Sequence, residues 1–289
     1  MRLLCHLRDE SDILEGWMRH YQRLGVRSFH LIVHGGATCN ARLFGLLGSA
    51  PIVIEGQVEG PHDEGEKTRR LQRVAERYPG EWLIVVDGDE LLEVPYADLP
   101  RTAARLEAVG ANALEAPFLQ RVCADGRLET PEVLADPLAE LPLAVPELIA
   151  MLGSRACETK FPLLRVGPGL AIRSGNHEPP FGRGTLLSSA RGVTHHVKWR
   201  RSLVGRMEER IATGHAYLQE SKCYLDGLRA HGGALPLRGA FRCTRQALFA
   251  RGLLRRASFW DGWRLWSRAR RRRSASAAHG ARAESRTVL

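Results

Sequence analysis

Five consecutive apolar residues, Trp82 to Val86, run into Asp87-Gly88-Asp89-Glu90, and the chain becomes apolar again at Leu91-Leu92. An unbroken apolar run, as opposed to an alternating one, marks a strand covered on both faces, as in a parallel sheet of an α/β domain. Similar runs occur at Leu3-Leu4-Cys5-His6-Leu7 and at Phe29-His30-Leu31-Ile32-Val33-His34. Between those two, Leu14, Trp17, Met18, Tyr21 and Leu24 recur at helical intervals, Asp12 and Glu15 have capping-box spacing, and Gly25 follows the last apolar position. The pattern predicts a helix over residues 11–24 and hence one βαβ unit.

Further along, the pattern predicts a helix over 41–47, a short strand over 52–54, a loop over 59–65 and a polar helix over 66–78. Leu71, Val74 and Ala75 share one face of that helix, and Pro79-Gly80 ends it. A helix over 99–109 and extended structure over 113–116 and 118–122 come next. Residues 130–146 contain four prolines and read as an irregular loop or a flap over the core. Residues 160–166 read as an edge strand, 174–180 as a loop, and 194–199 as an extended segment in which His195 and His196 point opposite ways. Helices over 203–214 and 216–228, a glycine-rich break at 231–237 and basic helices over 242–256 and 259–273 complete the reading. The expectation is a mixed, mainly parallel α/β sheet flanked by helices over 1–237, a basic helical extension over 238–273 and a disordered tail over 274–289.

Charge changes the picture only near the end. The chain of 289 residues has a formal net charge of +10, yet residues 238–289 hold fourteen arginines against Asp261 and Glu284, so the rest is close to neutral. A basic tail, with Phe259, Trp260, Trp263 and Trp266 mostly on one side, suits the surface of an anionic membrane, packing on the domain or pairing with a partner. Lys67, Lys160, Lys198 and Lys222 are the only lysines, a bias that genome composition would explain. Six dispersed cysteines lack the close spacing of zinc ligands and fit reduced thiols. No signal-peptide core or eighteen-residue apolar run is present, so the expected place is the cytoplasm, peripheral to the inner face of the membrane.

Three acids crowded at the carboxyl end of a buried strand repel one another, and a hard divalent cation holding a phosphate-bearing ligand would relieve them. The plainer reading is a strand followed by a polar turn. Gly175-Asn176-His177-Glu178 and Thr194-His195-His196-Val197-Lys198-Trp199 are the other clusters of polar chemistry.

Taken together, Arg8-Asp9-Glu10, Leu14-Glu15-Gly16-Trp17-Met18-Arg19-His20-Tyr21, Leu24-Gly25-Val26, the segment from Trp82 to Leu91, Gly175-Asn176-His177, His196-Val197-Lys198-Trp199 and Asp261-Gly262-Trp263 resemble a bacterial branch of glycosyltransferase family 2. The resemblance covers roughly residues 1–266 and is strongest before Leu92. It implies an A-type glycosyltransferase fold, a nucleotide-sugar donor, a divalent cation (Mn or Mg), and a glycan, lipid-linked or small-molecule hydroxyl acceptor. Under it, Asp89 is the main metal ligand. Asp87 acts through water or holds the ribose, and His196 is a later ligand. Arg8, Asp9, Glu10 and Lys198 bind the donor. Glu178 ranks first and Glu90 second as the base, with His177, His195 and Trp199 near the acceptor or supporting the site. In one place the chain departs from the pattern. Where that branch carries an aspartate-asparagine-x-serine-x-aspartate turn, this chain has His34-Gly35-Gly36-Ala37-Thr38-Cys39-Asn40.

Two other classes remain open at this point: a non-catalytic glycan or nucleotide-sugar binder, which the altered turn favours, and a nucleic-acid binder acting through the arginine-rich tail. The tail has no structured recognition motif, so no specific nucleic acid is expected.

Overall fold

The computed structural model describes residues 1–263 except Asp9, 36–44, 46–50, Pro61, Glu129, Ala156, Ala216, Phe259 and Gly262. The expected helix over 41–47, most of the altered turn, the end of the last basic helix and the tail lie outside the described residues.

The apolar runs become β1 (Arg2–Arg8), β2 (Ser28–His34), β3 (Ile52–Val58) and β4 (Trp82–Asp87), which pair in parallel in the order β3-β2-β1-β4. The chain moves outward from β1 to β3 and then returns to the other side of β1. The crevice beyond the ends of β1 and β4 is therefore the switch point of an open, Rossmann-like α/β sheet. Helices α1 (Leu14–Arg23), α2 (Glu64–Ala75) and α3 (Leu99–Ala108) supply the crossovers and cover.

Beyond α3 the sheet turns largely antiparallel. A two-residue turn joins β4 to β5 (Glu90–Glu93), and then come β6 (Ala113–Val122), β7 (Leu143–Val145), β8 (Thr159–Arg165), β9 (Val193–His196) and β10 (Phe241–Arg242). The full order is β10-β7-β6-β8-β4-β1-β2-β3, with β9 bridging β5 and β6. Helices α4 (Leu203–Ala212), α5 (Leu218–Ala230) and α6 (Arg245–Ala250) follow.

Several expectations need correction. The segment over 160–166 is not an edge: β8 lies between β4 and β6. Its Pro162, which signals an edge because proline cannot donate to a ladder, sits where the register with β6 shifts, so the missing donor is tolerated. The Asp12–Glu15 capping box does not form; Asp12 instead accepts from Arg200 Nε at 2.6 Å and Ser202 Oγ at 2.8 Å. The 130–146 segment is partly regular, with one helical turn, Pro137–Glu140, and β7. Leu134 and Leu141 enter the main core, and buried Arg121 holds the segment by donating to the carbonyls of Leu138 and Leu141. Of the basic helix expected over 242–256, only α6 is helical. Phe241, Leu248 and Leu254 pack with Leu119 and Val193, and Asp261 accepts from Ser189 N–H at 2.8 Å. Among the described residues no helix is long and apolar enough to cross a membrane.

Candidate active site

The site is built on the β4–β5 turn. Gly88 is required there by crowding, because a Cβ on it would lie 2.7 Å from Leu7 Cδ2 and 2.9 Å from Glu10 Cγ. Three residues on one face of α1 fix the far side of the turn. Trp17 Nε1 and the Tyr21 hydroxyl donate to the Glu90 carbonyl at 2.9 and 3.0 Å, and His20 Nε2 donates to the Leu92 carbonyl at 2.9 Å. The Tyr21 hydroxyl in turn accepts from Leu92 N–H at 3.0 Å. The i, i+3, i+4 spacing of these residues thus serves backbone hydrogen bonds as well as packing. A further anchor is Asn176, whose amide donates to the Val85 carbonyl at 2.9 Å from a left-handed backbone at φ 54°. Asparagine tolerates that conformation better than most side chains.

The acids do not face one another uncompensated. Lys67 on α2 reaches Asp87 at 2.8 Å, and Lys160 on β8 pairs with Glu90 and stands 3.7 Å from Asp87. Burial opposes ionisation of Asp87, but the two lysines prevail and hold it well below the usual carboxylate range. For Glu90 burial wins over Lys160, and with Asp87 and Asp89 nearby its carboxyl is pushed up to about 7.

Asp89 faces a different partner. Its Oδ2 lies 3.2 Å from His196 Nε2, while His196 Nδ1 is 2.9 Å from Gln120 Oε1. The same oxygen of Gln120 accepts from Trp199 Nε1 at 2.8 Å. An indole N–H only donates, so Gln120 must present its oxygen to both rings, and His196 must carry its proton on Nδ1. His196 Nε2 is then left facing the carboxylate, as a lone pair when the ring is neutral. Burial lowers the His196 pKa and so favours the neutral ring.

The opposite wall is basic. Arg8 Nη1 lies 3.2 Å from His215 Nε2, and Lys198 donates to Glu220 at 2.9 Å. Glu10 is held by Arg200 and by Arg206, the latter at 2.9 Å. A fourth group, His6, His34 and His62, has ring nitrogens within 4.8 Å of one another and is able to coordinate a metal ion. Of these residues, Arg8, Glu10, Arg206, Lys198, Glu220, His6 and His62 line one cleft with the acidic turn; it holds about 410 Å³, large enough for a small-molecule ligand.

Of the residues singled out from sequence, the cleft gathers Arg8, Glu10, Asp87, Asp89, Glu90, His177, His196 and Lys198. Asp9 lies outside the described residues. Glu178, expected as the base, is exposed and does not line the cleft, because the 3-10 turn Ser174–Asn176 sends His177 inward and its neighbour out. Trp199 is fully buried and does not line the cleft; it lies behind the wall, against Gln120 and the ring of Tyr224, and supports the site from there. His195 is also fully buried, 3.1 Å from Glu93, behind the cleft. Sequence reasoning missed Lys67, Lys160, Gln120, Glu64, His6 and His62. The lysines carried a signal, since three of the chain's four border the cleft.

No family model and no curated protein matches the chain. Among solved structures, S. aureus TarS 1-349 in complex with UDP is similar at 9% identity over 42% of this chain and 35% of that chain, with a TM-score of 0.29. A putative glucose-1-phosphate thymidylyltransferase from Bacillus anthracis is similar at 9% identity over 44% of this chain and 57% of that one, with a TM-score of 0.28. The UTP-bound UGPase from Acinetobacter baumannii is similar at 12% identity over 45% of this chain and 61% of that one, with a TM-score of 0.27. The chain thus spans about a third of the TarS chain, and the resemblance to these enzymes is distant.

Proposed function

We propose that this chain is a glycosyltransferase of the A-type fold that moves a sugar from a nucleotide-diphosphate donor to a hydroxyl acceptor with the help of a divalent cation. The observation that carries the reading is the Asp89–His196 pair at the switch point. Two ligands bound at about 2.1 Å and roughly at right angles lie about 3 Å apart, which matches the spacing of this oxygen and nitrogen. A cation between them would also satisfy the His196 lone pair that Trp199 and Gln120 direct at Asp89. The imidazole in the donor set favours Mn over Mg. Asp87, engaged by Lys67 and Lys160, is better suited to holding the ribose or an ordered water than to ligating the ion directly.

Asp89 and His196 would hold the cation, which would supply positive charge for the leaving diphosphate. Asp89 and His196 alone would leave a cation incompletely coordinated, so ion and donor would be expected to bind together. Arg8 and Lys198 face the same cleft and add positive charge for the phosphates, and Glu10 positions Arg206 beside them. Glu90 replaces Glu178 as the base: it borders the cleft, and a carboxyl pushed up to about 7 suits proton transfer near neutral pH. Lys160, beside it, steadies the carboxylate between proton transfers. Inversion follows from single displacement. The acceptor is a glycan, a lipid-linked glycan or a small hydroxyl compound.

A panel of nucleotide sugars titrated with and without Mn²⁺ into the wild type and Asp89→Ala tests this. Mn²⁺-dependent binding that Asp89→Ala abolishes is expected; donor binding indifferent to both ion and substitution would overturn it. Binding without nucleoside diphosphate release across acceptors would instead favour the non-catalytic binder.

A further inference from the structure

His6 lies within β1, His34 is the last residue of β2, and His62 sits in the loop ahead of α2. The sheet register sets His6 opposite Ile32 and His34 opposite Arg8, so the two histidines are diagonal neighbours, with ring centroids 5.3 Å apart. His62 closes the group at 5.7 Å from His6 and 5.8 Å from His34. Three imidazoles so close repel one another when protonated, whereas a cation bound between them would use their lone pairs.

Two of the three already hold their outer nitrogen in the way metal-bound histidines do. His34 Nε2 donates to the Gly60 carbonyl at 2.8 Å, and His62 Nε2 donates to the Glu64 carboxylate at 3.1 Å. A carbonyl and a carboxylate only accept, so Nε2 carries a proton in each ring, and Nδ1 is the atom that offers a lone pair to a cation. A histidine ligand characteristically gives its second N–H to such an oxygen, which fixes tautomer and orientation. His62 Nδ1 is buried and has no hydrogen-bond partner among the described residues. An acceptor left so costs about 1–3 kcal/mol, which a cation would recover. Burial, then Lys67 and the other two rings, brings His6 down to about 4, which keeps it unprotonated at neutral pH. The charge of Lys67 is itself offset by Glu64 and Asp87.

We propose that His6, His34 and His62 form a binding site for a divalent transition metal of the zinc class, separate from the Asp89–His196 pair. Three nitrogen donors select such an ion over Mg²⁺ or Ca²⁺. Three protein ligands also leave the fourth position of a tetrahedral ion open, as in sites that bind water or an oxygen ligand rather than closed structural ones. His6 and His62 line the cleft, so that position opens onto it and takes water or a phosphate oxygen.

The test uses the untagged full-length chain, stripped with a chelator and dialysed against Zn²⁺, with Co²⁺ as the spectroscopic probe. Tight uptake of one Zn²⁺ per chain is expected, together with visible Co²⁺ absorption of tetrahedral strength. His62→Ala and His34→Ala should each weaken binding by about 100-fold or more, while Asp89→Ala leaves it unchanged. His62 lies in a loop, so His62→Ala is the variant least able to disturb folding, and its melting curve in chelator should overlay that of the wild type. A wild type that takes up no tight Zn²⁺, a His62→Ala variant with unchanged affinity, or uptake lost in Asp89→Ala would each overturn the proposal.

Discussion

Lys67 Nζ lies 2.8 Å from Asp87 Oδ1, so part of the positive charge that the acidic strand end demands comes from α2. Lys67→Met should destabilise the fold by about 2–3 kcal/mol. That is less than the ~3–5 kcal/mol for an isolated buried pair, because Lys160 stays near Asp87. Urea unfolding measures it, and a loss under about 0.5 kcal/mol would show that Asp87 is already satisfied by solvent.

Gly88 and Gly167 make a matched pair. A Cβ on Gly88 would press on Leu7 and Glu10, whereas one on Gly167 meets nothing within 4 Å. Gly88→Ala should therefore cost about 1–3 kcal/mol and disturb the cleft, with Gly167→Ala within about 0.5 kcal/mol of wild type. Thermal melts of the two variants decide the matter, and equal melting temperatures would refute the close approach.

Stability should fall in mild acid. Burial, assisted by neighbouring cations, lowers His6, His20 and His177 to about 4. Each therefore binds fewer protons folded than unfolded between about 4 and 6.5, and its contribution is lost as pH falls through that window. Glu90, raised by burial to about 7, works the other way between about 4.5 and 7. His195, His196 and His215 are lowered as well and Glu10 is raised, so lowered histidines outnumber raised carboxyls and unfolding takes up protons below pH 6.5. Urea titrations from pH 7 to 4.5 should show stability dropping; a rise toward acid would mean that the glutamates dominate.

Trp199→Phe keeps an aromatic ring in the core but removes the donor that fixes Gln120. A loss of about 1 kcal/mol is expected, and nitrogen NMR of His196 should show Nδ1 no longer held in a single protonated form. An unchanged His196 spectrum would assign its tautomer to Asp89 alone.

The parallel half of the fold is legible in the sequence because its signals are local: apolar runs for β1, β2 and β4, and helical spacing from Leu14 to Tyr21 for α1. The failures come from distant partners. Asp12 and Glu15 match a capping box, yet Arg200 claims Asp12 across 188 residues. Pro162 reads as an edge signal, and only a shift in the register of β8 with β6 makes it tolerable inside the sheet. Among site residues, Asp89 and His196 stand out from their motifs, and the topology brings them together. Glu178 lies outside the cleft that holds His177, since adjacency in sequence says nothing about which way a tight turn sends each side chain. Lys67 and Lys160 were visible as two of four lysines in an arginine-rich chain, but only the packing of α2 and β8 shows what they neutralise. His34, which in sequence is merely a departure from the resembled turn, gains meaning beside His6 and His62.

The most direct test of the central claim is whether the Asp89–His196 pair holds a cation against a nucleoside diphosphate. Electron paramagnetic resonance of free Mn²⁺, titrated with protein in the presence and absence of UDP, reads this without turnover. Joint binding predicts that the free-ion signal falls steeply only when protein and UDP are both present, beyond what UDP alone removes, and that His196→Ala or Asp89→Ala restores it. A signal that protein and UDP together leave no lower than UDP alone, or one that both variants deplete as the wild type does, would contradict it.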